Sequence, residues 1–351
     1  MKKLTALILA CVTVAILVSA TGCAGPASSS SEAITSASSA TSTSAEESTD
    51  SLANASASSA VSEQVSSSVQ EPAPSSAESG STVSPAMQQL AKDLKPIIKR
   101  ADMDMGVCAI DLETNERIDD KGDRRMVAAS MIKLVVAASF LEAVEEGALS
   151  LDDTYTLKET DFVEGTGSLG NENPGTKITY EELFEIMIAE SDNTAANILI
   201  EAMGMKAVND TAKSLGLTRT KLNRLMMDEE AIARGIENYV SANDVATILE
   251  LAYHDELISA KASKLLRSAL AEQTDKKGIL AGLPSRAKFA HKTGSLPDAQ
   301  HDGGIVTSKD GHDYVIVVLC GGAGFSLDEA LDAMEDIGTA SYRDLVEKRA
   351  S

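Results

Sequence analysis

The spacing of apolar residues changes from helical to alternating soon after the folded part of the chain begins. Residues 87–100 carry apolar side chains at helical spacing, namely Leu90, Leu94, Ile97 and Ile98. Residues 105–112 then alternate, which predicts a strand. The turn-forming sequence Glu113–Glu116 follows and leads into a second short strand.

A block of helices is predicted next. The apolar run Met131–Leu141 is typical of a buried helix, which we place at residues 126–147. Thr179 and Glu182 form a capping box for a helix that continues to Ala189. Caps and apolar spacing predict four more helices, at residues 195–203, 206–215, 241–253 and 261–271.

The pattern returns to strands in the last part of the chain. Three strands are predicted at residues 288–294, 303–307 and 313–320, and Asp310-Gly311 is a strong hairpin signal between the last two. A long helix at residues 326–348 closes the chain. This order predicts an α/β (α+β) fold, with a five-stranded antiparallel sheet flanked by helices and a separate all-helical lobe. A cleft between lobe and sheet is the expected place for a site.

The N-terminus has a different character. Lys2 and Lys3 precede an apolar stretch, residues 4–18, and small residues lead to Cys23. This resembles a bacterial lipoprotein signal, which implies lipidation of Cys23 and an extracytoplasmic, membrane-tethered protein. Ala20 departs from the leucine usual in such signals. An ordinary cleaved signal or an uncleaved anchor is the alternative, although the stretch is short for a spanning helix.

Residues 24–84 are mostly Ser, Ala, Thr and Glu, with neither basic nor aromatic residues. Such a segment buries too little apolar surface to offset its ordering entropy, so we predict a disordered tether. As a flexible coil its ends would lie about 40 Å apart. The predicted organisation is a signal at 1–23, a tether at 24–84 and a folded domain at 85–351.

The chain carries a formal net charge of −22, and its folded part is also acidic. Nucleic acid is therefore not an expected partner, because phosphate binding needs a basic face. The four histidines show no paired metal spacing, so we expect neither a metal nor another cofactor. Cys108 and Cys320 lie in strand-like runs and could form a disulfide or remain buried thiols. Nothing in the sequence indicates a partner helix, and we expect a monomer.

Ser130 and Lys133 stand three positions apart and share one face of the predicted central helix. A hydroxyl in the first helical turn lies where the dipole favours developing negative charge, and a nearby lysine can act as neutral amine or proton shuttle. The pair predicts an activated nucleophile. By itself the pair proves little, because a helix-capping serine explains it more readily.

Two further motifs fall beside the predicted cleft. Ser191-Asp192-Asn193 follows the helix that ends at Ala189, and Lys292-Thr293-Gly294-Ser295 ends a predicted strand. S-x-x-K, S-D-N and K-T-G together are the signature of class A β-lactamases and penicillin-binding proteins. From about residue 86 onward the chain resembles a class A β-lactamase-like serine hydrolase in the order and separation of these motifs.

The resemblance implies catalytic roles for Ser130, Lys133, Ser191 and Lys292. Ser130 would attack a substrate carbonyl, and the backbone N–H groups of Ser130 and Ser295 would face the oxyanion. Lys133 would help to deprotonate Ser130. Ser191 would relay a proton to the leaving nitrogen, with Lys292 close by.

It also implies a substrate-binding set of Asn193, Thr293, Gly294 and Ser295. Asn193 would hold a substrate side-chain amide. Lys292, Thr293 and Ser295 would bind a carboxylate, which gives a reason for two lysines to converge in an acidic domain.

The chain departs from the family pattern in one loop. Class A β-lactamases use a glutamate, two positions after an arginine, to activate the water that hydrolyses the acyl-enzyme. Arg224 matches the arginine, but Met226 stands at the glutamate position, and a thioether cannot act as a general base. Asn238 stands nearest the aspartate that usually closes the loop, so loss of the Arg224 ion pair is expected.

Three acidic residues follow directly: Asp228, Glu229 and Glu230. Glu230 could replace the missing base, because it aligns near a family position that also touches the water. The alternative is that all three are solvated charges near a helix start. Without a base, acylation should proceed and release of a β-lactam product should be slow.

Three functions remain open at this point. The first is a hydrolase that forms an acyl-Ser130 intermediate with β-lactams, or a D,D-peptidase or esterase that acts on peptidoglycan-type substrates. The second is a penicillin-binding sensor that stays acylated. The third is a structural cell-wall module whose motifs are idle.

Overall fold

The structure is a computed structural model that describes residues 83–349. The predicted signal, with Cys23, and almost all of the predicted tether lie outside the described residues. Among the residues that are described, no helix is both long enough and apolar enough to cross a lipid bilayer.

The helices are α1 (Pro85–Arg100), α2 (Lys133–Glu145), α3 (Tyr180–Ala189), α4 (Asn193–Met203), α5 (Met205–Ser214), α6 (Glu229–Ala233), α7 (Ala242–Tyr253), α8 (Ala260–Ala271) and α9 (Leu327–Tyr342). The strands are β1 (Asp104–Asp111), β2 (Arg117–Asp120), β3 (Met126–Val127), β4 (Thr154–Thr156), β5 (Lys177–Thr179), β6 (Tyr239–Val240), β7 (Lys288–Leu296), β8 (Ala299–Thr307) and β9 (Tyr314–Gly321). Each predicted element has a counterpart, with most ends shifted by a few residues and a larger change at the start of the central helix.

The main sheet has five antiparallel strands in the order β2-β1-β9-β8-β7, which confirms the predicted fold class. The β8–β9 connection contains the predicted turn, and Gly311 takes the positive φ of +83° that glycine adopts without strain. Strand β7, which carries Lys292, is an edge strand. One edge of β7 therefore has no neighbouring strand in the sheet, and another part of the chain can pack against it.

Alternating side chains divide the interior into two cores. One face of the sheet, with Cys108 and Val317, packs against the helical lobe built around α2. The other face, with Met105 and Cys320, packs against α1 and α9. Helix α2 is buried at every position from Lys133 to Leu141, because it is surrounded by the other helices of the lobe.

The central helix begins later than predicted. Residues 126–147 do not form one helix: Met126 and Val127 form β3, which pairs with β6, and Ala129–Ile132 form a 3₁₀ turn before α2. Ala129 has a φ of +45°, outside the helical region, so the helix cannot extend through it. The strand pairing satisfies backbone groups that a helix would otherwise bond internally.

The helical lobe also contains two short strands, which corrects the prediction that this lobe is all-helical. The short strands β4 and β5 pair antiparallel within it and lead directly into α3. The capping box that begins α3 is present as predicted: Glu182 N–H donates to Thr179 Oγ1, and Thr179 N–H donates to Glu182 Oε2. Three-residue strands are too short to produce an alternating signal in the sequence.

Cys108 and Cys320 are free thiols on opposite faces of the sheet. In the β1–β9 register Cys108 pairs with Val317, whereas Cys320 pairs with Met105. The sheet itself therefore separates the two sulfurs. Burial raises the pKa of each thiol to about 12.

Candidate active site

Ser130 lies in the 3₁₀ turn that precedes α2, at the point where β7 approaches the helical lobe. A Cβ on Gly294 would lie 3.1 Å from both Ser130 N and Ala129 Cβ. Glycine at this position therefore lets the edge strand come within van der Waals contact of the Ser130 backbone. The left-handed conformation of Ala129, φ +45°, sets the direction in which the turn leaves β3.

Lys133 is fully buried at the start of α2 and reaches several oxygen atoms. Its Nζ donates to Ser191 O at 2.5 Å and Asn193 Oδ1 at 2.8 Å, and lies 3.3 Å from Ser191 Oγ and 3.4 Å from Ser130 Oγ. Burial, reinforced by the positive charge of Lys292, holds the pKa of Lys133 well below its usual value, against a smaller opposing effect of Asp192. A neutral amine has two N–H groups for the short contacts and a lone pair for the Ser130 hydroxyl.

Ser191 lies in the loop between α3 and α4 with a positive φ of +62°. Non-glycine residues take this conformation only when their surroundings impose it. Asp192 supplies that constraint, because its buried carboxylate caps α4 by accepting from Ala195 N–H and also accepts from Leu169 N–H. The cap directs the Ser191 hydroxyl toward the two lysines.

Lys292 is fully buried on β7. Its Nζ donates to Ser191 Oγ at 2.9 Å and to the carbonyl of Thr293 at 2.7 Å. Burial lowers the pKa of Lys292 to about 7, although the carboxylates of Asp302 and Asp275 oppose part of the shift. Near neutral pH this group can therefore hold or release a proton.

The structure brings Ser130, Lys133, Ser191 and Lys292 into one continuous chain of contacts. Lys133 Nζ lies between the two serine hydroxyls, and the Ser191 hydroxyl lies between the two lysines. A proton can pass along such a chain from Ser130 toward Ser191 without a large movement of any side chain. The arrangement fits a serine nucleophile with a basic amine and a proton relay.

The predicted substrate-binding residues are neighbours of these four side chains. Asn193 is the first residue of α4; its Oδ1 accepts from Lys133, and its Nδ2 donates to Glu164 O at 3.0 Å. Ser295 is exposed, and its hydroxyl donates to Gln300 Oε1 on β8. Thr293 is half-buried between Lys292 and Gly294.

A glycine-containing loop covers the S-D-N segment. A Cβ on Gly165, at φ +127°, would lie 2.3 Å from Asn193 Nδ2, and one on Gly167 would lie 1.9 Å from Asp192 Oδ2. Thr166 lies between them and donates to Ser191 O at 3.0 Å. Only glycine lets the loop backbone lie this close, and the sequence interpretation missed these contacts.

Met226, which the sequence aligns with the family glutamate, is held by two hydrogen bonds. Asn197, one turn after Asn193 on α4, accepts from Met226 N–H at 2.7 Å and donates to Met226 O at 3.0 Å. The Met226 side chain is 6% exposed and belongs to the core of the helical lobe. Asn193 and Asn197 share one face of α4, but no local pattern in the sequence pairs Asn197 with a residue 29 positions away.

The expected loss of the Arg224 ion pair is wrong. Arg224 Nη2 lies 2.7 Å from Glu237 Oε2, so the residue next to Asn238 supplies the carboxylate. Asn238 closes the loop in another way: its Oδ1 accepts from the N–H groups of Asn223 and Arg224, and its Nδ2 donates to Arg224 O. The loop is therefore clamped at both ends.

Glu230 is exposed in the first turn of α6 and makes no side-chain hydrogen bond with any described residue. Asp228 is the N-cap of α6, where it accepts from Ala231 N–H at 2.9 Å, and Glu229 shares the first turn. Acidic residues at these positions stabilise a helix N-terminus. The structure does not bring Glu230 into the contact chain around Ser130.

A buried histidine, His301, lies beside the site. His301 opposes Gly294 across the β7–β8 ladder; its Nε2 is 2.8 Å from Val127 O, and its Nδ1 accepts from Cys320 N–H. These partners fix a neutral tautomer that joins β8 to the segment leading to Ser130. Within residues 83–349, no group of three His, Cys, Asp or Glu residues has the arrangement of a metal site.

Comparisons with known proteins agree with this geometry. The model of the β-lactamase enzyme family matches residues 89–345. The β-lactamase PSE-4 of Pseudomonas aeruginosa is 25% identical over 263 residues, which cover 74% of this chain and 91% of that one. An ancestral class A β-lactamase superimposes with a TM-score of 0.66 at 27% identity, over 72% of this chain and 98% of that chain.

A second similar structure is a mutant of PBP-A solved as an acyl-enzyme complex with penicillin G. Its TM-score is 0.67 at 24% identity, over 73% of this chain and 96% of that chain, which is a likeness of fold. The match to the family model spans both lobes and all three motifs. The chain therefore belongs to the β-lactamase enzyme family, as a class A β-lactamase-like serine hydrolase.

Proposed function

We propose that the protein forms an acyl-enzyme at Ser130 with β-lactams, or with related amides and esters that carry a carboxylate, and that it releases the acyl group slowly. The observation that carries the proposal is the chain of contacts Ser130–Lys133–Ser191–Lys292. Slow release is inferred from Met226, which the sequence aligns with the family's general base. A PBP-A mutant with a similar fold forms such an adduct with penicillin G.

Acylation follows from the positions of the proton-bearing groups. The neutral Lys133 amine takes the proton of Ser130 as its Oγ attacks the carbonyl carbon. The Ser130 N–H, together with the N–H of Ser295 on the edge strand, stabilises the oxyanion. Ser191 donates its proton to the leaving nitrogen and is reprotonated through the lysines.

The carboxylate requirement follows from Lys292. In its protonated form it is a buried positive charge next to Thr293 on β7, in an acidic protein. A charge-assisted hydrogen bond from a buried ammonium is worth more than one between neutral groups. Substrates with a carboxylate next to the scissile amide or ester are therefore favoured over neutral analogues.

Slow deacylation follows from Met226. Hydrolysis of the acyl-enzyme needs a base that activates water, and the methionine sulfur cannot accept the proton. Glu230, the substitute that the sequence suggested, is exposed and outside the contact chain. The acyl-enzyme should therefore accumulate.

Burst kinetics with a chromogenic cephalosporin test this proposal. We expect about one equivalent of product in a fast phase, followed by slow turnover, with an acyl mass on the peptide that contains Ser130. Ser130→Ala should abolish both phases. A complete absence of covalent adduct would exclude both the hydrolase and the sensor, and fast steady turnover would exclude slow deacylation.

Met226→Glu tests the cause of the slow step. The Asn197 hydrogen bonds hold the backbone at residue 226, so the new carboxylate should occupy the place of the missing base and raise the deacylation rate about 10²-fold or more. Met227→Glu is the matched control, because Met227 is the adjacent methionine and is exposed. Equal deacylation rates in both variants would show that the loop position is assigned wrongly.

The same proposal includes the location of the enzyme. A lipid on Cys23, a tether at residues 24–84 and an extracytoplasmic domain would present the site to cell-wall material, and a D,D-peptidase or esterase acting on peptidoglycan-type substrates is the alternative activity for this location. We propose that the domain acts as a monomer. Cys23→Ala should move the protein out of the membrane fraction; an unchanged distribution would refute the lipid anchor.

A further inference from the structure

A cleft lies at the far end of the two helices, α2 and α4, whose first residues belong to the candidate active site. Helix α2 begins with Lys133 and ends beside Glu146, and α4 begins with Asn193 and ends at Met203. The C-terminal turns of both helices, together with one side of α5, enclose a cleft of about 450 Å³. This volume is within the usual range of small-molecule sites, and its lining residues on α2, from Ser139 to Glu146, lie about 9 to 20 Å along the helix from Lys133.

The cleft has a strongly acidic lining. Glu142, Glu146 and Asp210 line it, and none of its lining residues is a lysine or arginine. Lys206 pairs with Asp210 from outside, on an exposed side chain. The C-terminal ends of α2 and α4 add the negative ends of two helix dipoles. The potential inside the cleft therefore favours a cation.

The floor of the cleft contains a polar group without a partner. Ser139 is 3% exposed and lines the cleft, yet its hydroxyl forms no hydrogen bond with any residue in the described part of the chain. The Ser139 oxygen is not among the fully buried atoms that lack a partner, so it remains accessible from the cleft. Thr211 beside it differs, because its Oγ1 lies 2.5 Å from Glu142 Oε2 and 3.1 Å from Ala207 O. Ser139 is therefore free to bind a ligand that enters the cleft.

We propose that this cleft is a binding site for a small organic cation, a protonated amine carried on a short alkyl chain. The ammonium group lies between Glu142 and Glu146 and donates a hydrogen bond to the Ser139 hydroxyl. The alkyl chain lies against the apolar part of the wall, formed by Ala143, Leu149, Ala202, Met203 and Ala207. A metal ion is disfavoured, because no acidic cluster within residues 83–349 has metal-ligand geometry.

Calorimetry on the full chain with 1-aminopentane as the probe tests the site, with 1-pentanol and pentanoate as the uncharged and anionic analogues. We expect one amine per chain, with no binding of the alcohol or the acid. The Ser130→Ala variant should bind the amine equally well, because the cleft is separate from the reaction site. Loss of amine binding in Ser130→Ala would overturn the proposal, since the amine would then occupy the active site.

Charge and hydroxyl variants locate the amine. Glu146→Gln, on an exposed side chain that should not affect folding, should weaken binding about tenfold, and Ser139→Ala should weaken it several-fold. Glu185→Gln is the matched control, because Glu185 is exposed on α3, lies outside the cleft and changes net charge by the same amount. Equal weakening in Glu146→Gln and Glu185→Gln, or no binding by the unmodified protein, would overturn the proposal.

Discussion

At the scale of single residues, the site depends on two buried lysines whose surroundings differ. Lys133 is surrounded by neutral acceptors, and the nearest opposing carboxylate, Asp192, only partly offsets burial and the charge of Lys292. Lys292 has the carboxylates of Asp302 and Asp275 in its surroundings and keeps a pKa of about 7. Groups whose pKa values are pushed apart in this way take separate acid and base roles.

The pH dependence of acylation should report the state of Lys292. At low substrate concentration the rate reflects the free enzyme, so it should fall above about pH 7 as Lys292 loses its proton and the carboxylate site loses its charge. Lys292→Arg keeps the charge at all working pH values and should remove this basic limb, even if the rate is lower. The measurement is the second-order acylation rate from pH 5 to 9.

Ser130→Ala provides the blank for this profile, because it cannot be acylated. A basic limb that persists unchanged in Lys292→Arg would assign the limb to another group and contradict the role given to Lys292. A shift of the limb to higher pH at saturating substrate is also expected, since a bound carboxylate stabilises the ammonium form.

The sequence predicted which residues meet, but not what holds them. The motif residues could be found because each motif is a short local pattern in a fixed order. Their supporting partners could not, because contacts such as Asn197 with Met226 join residues 29 positions apart. The Arg224–Glu237 ion pair was missed because Glu237 lies one position before Asn238, the residue that the sequence placed nearest the loop-closing aspartate.

At the scale of elements, local rules predicted helices and strands best where one signal dominated. Caps fixed the starts of α3 and α7, where Thr179 and Ser241 accept the predicted hydrogen bonds. The apolar run at residues 131–141 predicted burial correctly but not the start of α2, because β3 pairs with β6 and the chain turns sharply at Ala129. Tertiary pairing overrides the local helical preference there.

The loop between α5 and α7 gives a prediction at this scale. Arg224 and Glu237 are 10% and 23% exposed, so their ion pair is shielded from solvent and closes the loop that holds Met226. Glu237→Gln should lower the free energy of unfolding by about 1–2 kcal/mol, because the guanidinium loses its charged acceptor. Urea unfolding followed by circular dichroism measures this change.

Glu229→Gln is a suitable comparison. Glu229 is exposed, and its substitution removes the same charge from the same loop region. The two variants should differ by most of the predicted free-energy change. If both have the stability of the unmodified protein, the Arg224–Glu237 pair does not stabilise the loop in solution, and Asn238 alone closes it.

At the scale of the described domain, one sheet separates two cores. The C-terminal segment is tied back by ion pairs from Arg343 to Asp93 on α1 and from Arg349 to Asp111 on β1. The order of helices and strands was enough to predict this architecture, because an antiparallel sheet with two apolar faces must be covered on both sides. The small strand pairs were not predictable, since their hydrogen bonds form only after the lobes pack.

The two thiols give a test of this arrangement, because one lies in each core. Cys108 packs toward the helical lobe and Cys320 toward α1 and α9, and burial raises the pKa of both to about 12. A thiol reagent needs the thiolate and access to the sulfur, so neither residue should react in the native protein at pH 8. Labelling followed by peptide mass spectrometry should show both modified only as urea unfolds the domain, at the same urea concentration if the two cores unfold together. Modification of Cys320 before Cys108 would show that the α1–α9 layer opens on its own, and a disulfide-linked peptide pair would contradict their placement on opposite faces of the sheet.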